Sequence, residues 1–450
     1  MATLVQPERP AARPTYAEVT RDIVATLGRP GRTWYVVFGI VLVILAWGIG
    51  ALLYQIRIGL GVAGYAPPVM WGVYITTFVF WVGIAHSGTL VSAILFLFRS
   101  AWRTAVYRTA EVMTVFAVLT AGLFPLIHVG RIWYAYWLIP YPNQRQLWVN
   151  FKSPLLWDVF AVTTYLTVST MFLIVGLVPD VAAARDSITG WRKKLYAVTA
   201  LGWRGTDQQW RHYTRAYLYL AALATPLVLS VHSVVSWDFA VSIVPGWHTT
   251  IFAPYFVAGA IYSGCALVVT LLVPIRRAFK LERYITPDHF ENLAKLLLLT
   301  GMIVGYAYAM EYFMAWYSGN PYERAAFWNR AFGDYWWATW TMIICNGFLP
   351  LFLWFRNVRR SIPAMFVLSL FVNLGMWFER FVIIVVSLSY EYEPYAHGHY
   401  TPSWVDWSIL AGSFGWFFMW FLLFAKNFPM VSIAEVKEII PMPRREHGHA

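Results

Sequence analysis

From residue 33 onward the chain alternates between long apolar runs and short polar stretches. Ten runs stand out, at 33–55, 70–98, 105–129, 157–178, 212–233, 250–275, 289–315, 335–356, 361–388 and 404–426. About 20 mostly apolar residues in helical form cross the hydrocarbon core of a bilayer. A lipid-exposed strand would leave backbone groups unpaired, and the ten-residue alternation of a membrane barrel is missing. The pattern predicts an all-α integral membrane protein with ten transmembrane helices.

Composition agrees. The 450 residues are 59% hydrophobic and only 12% charged, against about 25% charged in soluble chains. Residues 1–32 are polar, without the apolar core of a signal peptide, so the first apolar run reads as a retained span. The net charge of +12 raises the question of nucleic acid, and its distribution answers it. If the N-terminus is cytoplasmic, the inner segments hold 25 Lys and Arg and the outer loops six. That bias puts both termini inside, and the basic rim faces anionic lipid.

A weak internal repeat divides the spans. Gly83-Ile-Ala-His-Ser-Gly in the second run resembles Gly259-Ala-Ile-Tyr-Ser-Gly in the sixth, and each runs on to an inner arginine, Arg99 or Arg276. This predicts two parallel four-helix bundles, at 70–233 and 234–388. Around them lie an N-terminal segment (1–32), a first flanking helix and loop (33–69), an outer loop with a last flanking helix (389–426) and a tail (427–450).

An ionisable group inside a span costs about 2.5–3.5 kcal/mol on insertion scales, so each is a functional candidate. The densest stretch is Thr120 to Asp158. It places His128, Arg131 and Asp158 at two helix ends near the outer surface, among Tyr134, Tyr141, Trp148 and Trp157. A base, a cation and an acid in an aromatic setting suit a molecule that is half ring and half oil, such as a quinol. His128 and Asp158 would accept its protons, and Arg131 would hold Asp158 ionised or orient a carbonyl. The plainer account makes His128 a helix cap and Arg131 a snorkelling rim charge.

Deeper in, His86 could relay protons or touch the ring, or simply bond a backbone carbonyl. Glu379 and Arg380 are neighbours about 100° apart on a helix, which suggests partners on other helices, with Glu311 one candidate for Arg380. Glu111 and Glu291 lie near the inner face and read as exposed rim pairs with Arg108 and Lys295. With His232, these groups make a set of proton-path candidates: His86, Glu111, His232, Glu311, Glu379 and Arg380. Haem would need two ligands meeting at matched depth, which only His128 and His232 could offer. Cys265 and Cys345 stand apart in apolar runs, so neither an iron–sulfur cluster nor a metal site is expected in this chain.

The stretches GxxHSGT (Gly83–Thr89), FPxxHxGR (Phe124–Arg131) and SPLLWD (Ser153–Asp158) resemble NrfD-like membrane subunits. Within that family, length and the TYAEVTRDI stretch look most like the larger such subunit of bacterial alternative complex III. The resemblance implies menaquinol oxidation at the outer side of the first bundle, with His86, His128, Arg131, Tyr134, Trp157 and Asp158 at the site. It implies that the chain holds no redox centre of its own. The expected partners are a ferredoxin-like iron–sulfur subunit on the extracytoplasmic face, multihaem c-type cytochromes and a second NrfD-like subunit, in the inner membrane of a bacterium. Proton translocation is a further expectation. The alternatives are an NrfD-type anchor of a molybdopterin oxidoreductase, with reversed electron flow, and a secondary transporter. For the latter, prolines should match between halves, and Pro125 and Pro226 find no counterparts at Pro274 and Pro350.

Overall fold

The computed structural model describes residues 14–139, 151 and 153–440; Tyr141 and Trp148 lie outside them. Among the described residues ten helices are long and apolar enough to cross a membrane. A short surface helix, α1 (Tyr16–Ala25), opens on a Thr15/Glu18 capping box. The first span is α2 (Arg32–Ile58), the second α3 (Val73–Leu97), and the third joins α4 (Tyr107–Ala121) to α5 (Leu123–His128). Then come α6 (Pro154–Arg185), the surface helix α7 (Trp191–Thr199), α8 (Asp207–Ala240), α9 (Phe252–Ala278) and α10 (Pro287–Tyr317). The outer helix α11 (Pro321–Phe332) precedes α12 (Trp336–Ile343), whose span runs on to Trp354 through π and 3-10 turns. After the short α13 (Arg356–Arg360), α14 (Ile362–Phe381) ends in a π-helical stretch to Val386. The last elements are α15 (Trp404–Asn427) and α16 (Ile433–Glu438).

Most expected boundaries hold within a few residues. The exceptions are α6 and α8, of 32 and 34 residues, longer than the core of a bilayer requires. In α8 the helix continues through 234–240, a segment whose falling hydropathy reads as loop. Serine hydroxyls keep it helical by bonding back to the chain: Ser233 Oγ donates to Leu229 O at 2.8 Å and Ser236 Oγ to Ser233 O at 2.6 Å.

Helices α3, α4, α6 and α8 pack as one bundle and α9, α10, α12 and α14 as a second, with α2 and α15 paired alongside α4. The bundles meet where α3 crosses α9, and the two copies of the repeated motif face each other there. A Cβ added at Gly264 would lie 1.7 Å from Ser87 Oγ and 2.6 Å from Ile84 O. Gly88 is equally tight, 2.2 Å from Ala110 O, and the flanking pair crosses at Gly48 and Gly412. Small residues let helix backbones approach where lipid supplies no hydrophobic drive for association.

The two ends of the described residues meet on the basic face, with Tyr16 Oη donating to Ile440 O. Helix α16 packs against α6 and the 3-10 turn at Ala101–Ala105. Asp180 accepts from Ser432 Oγ (3.1 Å) and Ala434 N (2.9 Å), and Glu435 pairs with Arg103 at 2.6 Å, both side chains buried. Burial pushes the Glu435 carboxyl from 4.5 up to about 7, and Arg103 opposes the shift.

This packing can be tested at two points. Gly264→Val should destabilise the protein by about 1–3 kcal/mol through overpacking, read as a lower thermal midpoint in detergent. Gly39→Val is the control, since an added Cβ there meets nothing within 4 Å. The second point is Glu435. Because its docked carboxyl titrates above its free value, docked α16 holds a proton that released α16 would give up. Docking is therefore strongest below pH 4.5, weakens up to about pH 7 and is level beyond. Amide exchange in 433–438, corrected for intrinsic rates, should show more protection at pH 5 than at pH 8. Glu435→Gln should flatten the difference, and equal protection in the wild type would refute the assignment.

Candidate functional site

The end of the first bundle away from the basic face is built on a dipeptide that occurs twice. Trp157-Asp158 lies just inside the start of α6, which Pro154 opens, and Trp237-Asp238 in the last turn of α8. The two indoles meet edge to face at 5.9 Å and 83°. The two carboxyls come within hydrogen-bonding range of each other. Asp158 is buried and Asp238 half-buried, and Oδ1 of each has no hydrogen-bond partner. Two carboxyls held this close repel when both are ionised. Trp157 is fixed by donation from Nε1 to Phe151 O at 2.6 Å.

His128, at the end of α5, belongs to a second cluster. Its ring meets Tyr65 edge-on at 5.7 Å, and Tyr65 stacks on Tyr400. Tyr74 Oη donates to Gln55 Oε1 (2.5 Å), Gln55 Nε2 to Ile127 O (2.9 Å), and Val73 N to Tyr400 Oη (3.2 Å). Asp406 Oδ2 accepts from Gly64 N and Ser403 N. His128 Nδ1, Tyr65 Oη and Asp406 Oδ1 are buried without partners.

Among the described residues His128 and Asp158 share no hydrogen bond or ion pair; Asp158 meets Asp238, and His128 meets Tyr65. The two clusters are linked by chain instead. The 3-10 segment Ile132–Leu138 packs on both α5 and α6. The loop at 59–72 sends Tyr65 to His128 and Trp71 to Phe239, next to Asp238, at 6.0 Å. Arg131 is exposed and makes no ion pair among the described residues, so it does not hold Asp158. Tyr134 is exposed beside Trp133. A cavity of about 310 Å³ opens beside Trp237, lined also by Val241, His248 and Ala253.

Below these groups, His86, His232 and Tyr165 are gathered in mid-membrane. His86 stacks on Tyr165 at 4.4 Å and lies 4.8 Å from His232. His86 Nδ1 is 2.5 Å from Val82 O, which is the plain backbone contact, but its Nε2 and both nitrogens of His232 are buried without partners. His232 thus neighbours His86 rather than His128, and the pairing weighed for a haem is not formed.

In the second bundle the structure corrects two expectations. Glu379 and Arg380 pair with each other, Nη1 to Oε1 at 2.6 Å, although the N–H does not aim at the oxygen. Long side chains span the 100° offset, Tyr308 Oη donates to Glu379 Oε2, and the Arg380 guanidinium lies over Phe256 at 4.5 Å. Glu311 is not the partner of Arg380. Its neighbouring charges are Arg330 and Glu379, and its Oε1 has no hydrogen bond.

Glu111 is also corrected. It is buried, 2% exposed, rather than on a rim. It accepts from Ser92 Oγ (2.7 Å) and Tyr217 Oη (2.9 Å) and faces Arg108 at 3.4 Å. Arg108 in turn binds Asp180 at 2.8 Å. Glu291 does form the rim pairs, with Arg360 (3.0 Å) and Lys295 (3.6 Å).

Asp238, Asp180, Arg103 and Glu435 escaped the sequence reading. Asp238 had a usable signal in the second Trp-Asp, hidden by its apparent place in a loop. Asp180 sits next to Pro179, where a helix end seems due.

A polytopic helical membrane protein with buried acids, histidines and aromatics at its outer face is the class these features define. The family model described as polysulphide reductase, NrfD, matches residues 61–390, and the chain belongs to that family. Three relatives bear on its role. A putative dimethyl sulfoxide reductase membrane subunit of Halobacterium salinarum is 30% identical over 371 residues, covering 80% of this chain and 78% of its own. The Hdr-like menaquinol oxidoreductase integral membrane subunit of Archaeoglobus fulgidus is 20% identical over 90% of this chain and 96% of its own. A selenate reductase subunit of Mesobacillus selenatarsenatis is 21% identical over 82% and 88%.

Breaking a buried ion pair strands a charge at about 3–5 kcal/mol. Glu379→Gln should therefore lower thermal stability sharply, and adding Arg380→Met should restore part of it. A single substitution as stable as the wild type would mean that Arg380 is satisfied elsewhere.

Proposed function

We propose that the chain is the quinone-reactive membrane subunit of a multi-subunit oxidoreductase, oxidising menaquinol at the outer end of its first bundle as in alternative complex III. The observation that carries this reading is the facing Asp158–Asp238 pair, each acid next in the chain to one of two tryptophans in contact. One carboxylate of such a pair is free to take a proton while the other already holds one. The quinol enters from the bilayer and loses two protons and two electrons. The ionised member of the aspartate pair accepts one proton and His128 the other, with Tyr65 beside it. Trp157 walls the ring, Arg131 and Tyr134 present the rim to a docked partner, and His86 lies below.

Electrons leave to an iron–sulfur cluster on a ferredoxin-like subunit and then to c-type haems, with a second NrfD-like subunit alongside. This chain's two cysteines are buried and apart, so it has no thiolate set for a cluster. The basic face is cytoplasmic on this reading, in a bacterial inner membrane. His86, His232, Arg380, Glu379, Glu311 and Glu111 are the ionisable groups inside the spans that would couple quinol oxidation to proton movement.

The names of the relatives favour two versions. The Archaeoglobus protein supports menaquinol oxidation, while the dimethyl sulfoxide and selenate reductase subunits support an anchor for a molybdopterin enzyme with the same site. Purifying the assembled complex separates them, since the first should bring c-type haem and the second molybdenum.

Asp158→Asn and Asp238→Asn should each reduce quinol turnover about 10²–10⁴-fold, the usual worth of a positioned proton acceptor, with subunits and bound quinone retained. Near-normal turnover in both assembled variants would remove the pair from the chemistry.

A further inference from the structure

On the basic face lies a cavity of about 740 Å³, walled by the end of α1, the start of α2, the α6–α7 turn and the end of α15. Its volume falls in the usual range of small-ligand sites, about 300–1,000 Å³. Arg29, Arg192 and Lys426 line it together with Tyr35, Trp191 and Thr189, and among the described residues its lining contains neither Asp nor Glu. Among the described residues none of the three cations has a carboxylate within ion-pair range. Two of them are nevertheless held in place. Arg192 donates from Nη1 to Leu27 O, with its guanidinium 5.7 Å from the Trp191 ring. Lys426 Nζ sits 4.6 Å from the Trp34 ring and 5.4 Å from that of Tyr35. Fixed like charges without a counter-charge repel, so the arrangement is stable with an anion between them. Helix α7 begins at the same wall, and its N-cap, Gly190, has no side chain to cover the first amides.

We propose that this cavity binds the phosphodiester headgroup of an anionic phospholipid. A lipid fits better than a soluble phosphate because Tyr35, which lines the cavity, is itself exposed on the first turn of α2. There Val36, Ile40 and Val43 form one exposed apolar stripe at helical spacing, a track for acyl chains. The three cations hold the phosphate, and Trp191 and Tyr35 flank it at the depth that amphipathic rings prefer.

The test is native mass spectrometry of the full chain, delipidated in detergent and titrated with phosphatidylglycerol or phosphatidylcholine. The wild type should retain one phosphatidylglycerol in preference to phosphatidylcholine. Each cation removed should weaken retention about fivefold, from the usual attraction of one basic side chain to anionic lipid, so R29Q/R192Q/K426Q should lose about a hundredfold. The charge-matched variant R204Q/R277Q/K280Q, on the same face, should retain the lipid as the wild type does. Equal loss in both triple variants would reduce the effect to the field of the basic rim and overturn the site. Displacement of the lipid by millimolar inorganic phosphate would assign the cavity to a soluble anion instead.

Discussion

Everything in the membrane interior depends on the crossing of α3 over α9, which glycine alone permits. Gly264 of α9 lies against Ser87 Oγ and Ile84 O of α3, so the bundles meet backbone to backbone. That closeness creates the dry seam into which His86, His232 and Arg380 project. A Cβ at Gly83 would stand 3.8 Å from both Arg380 Nη2 and His232 Cε1. Groups so costly in hydrocarbon are tolerated only when they find each other, and a looser seam would open them to lipid. The repeated motif therefore has one physical purpose in both copies, to let two polar-lined bundles touch.

At the end of the first bundle away from the basic face the design differs. Trp-Asp near the start of α6 and again in the last turn of α8 brings like residues together, so that two acids oppose each other. Opposed carboxyls have no static use, because removing either would relieve the repulsion. The His128 cluster is built the opposite way, on tyrosines and backbone donors, and Asp406 anchors the loop that presents Tyr65.

The helices were legible because twenty apolar residues in a row have few other fates. What was hidden was who meets whom. Asp158 and His128 are near in sequence, yet their contacts come from α8 and from the loop at 59–72, about 80 and 60 residues away. Hydropathy put Asp238 in a loop because serine-rich helix and loop score alike. Glu111 looked like a rim residue because Arg108 is close to it in sequence. Its burial is set by Ser92 of α3 and Tyr217 of α8, neither of which leaves a mark in its own segment.

That last helix has a consequence for biogenesis. Arg103 enters the bilayer long before Glu435, the acid that answers it, has been translated. In between, the nascent protein carries an unanswered guanidinium on its basic face. A chain cut short before residue 435 would keep it, a built-in flaw for membrane quality control to recognise.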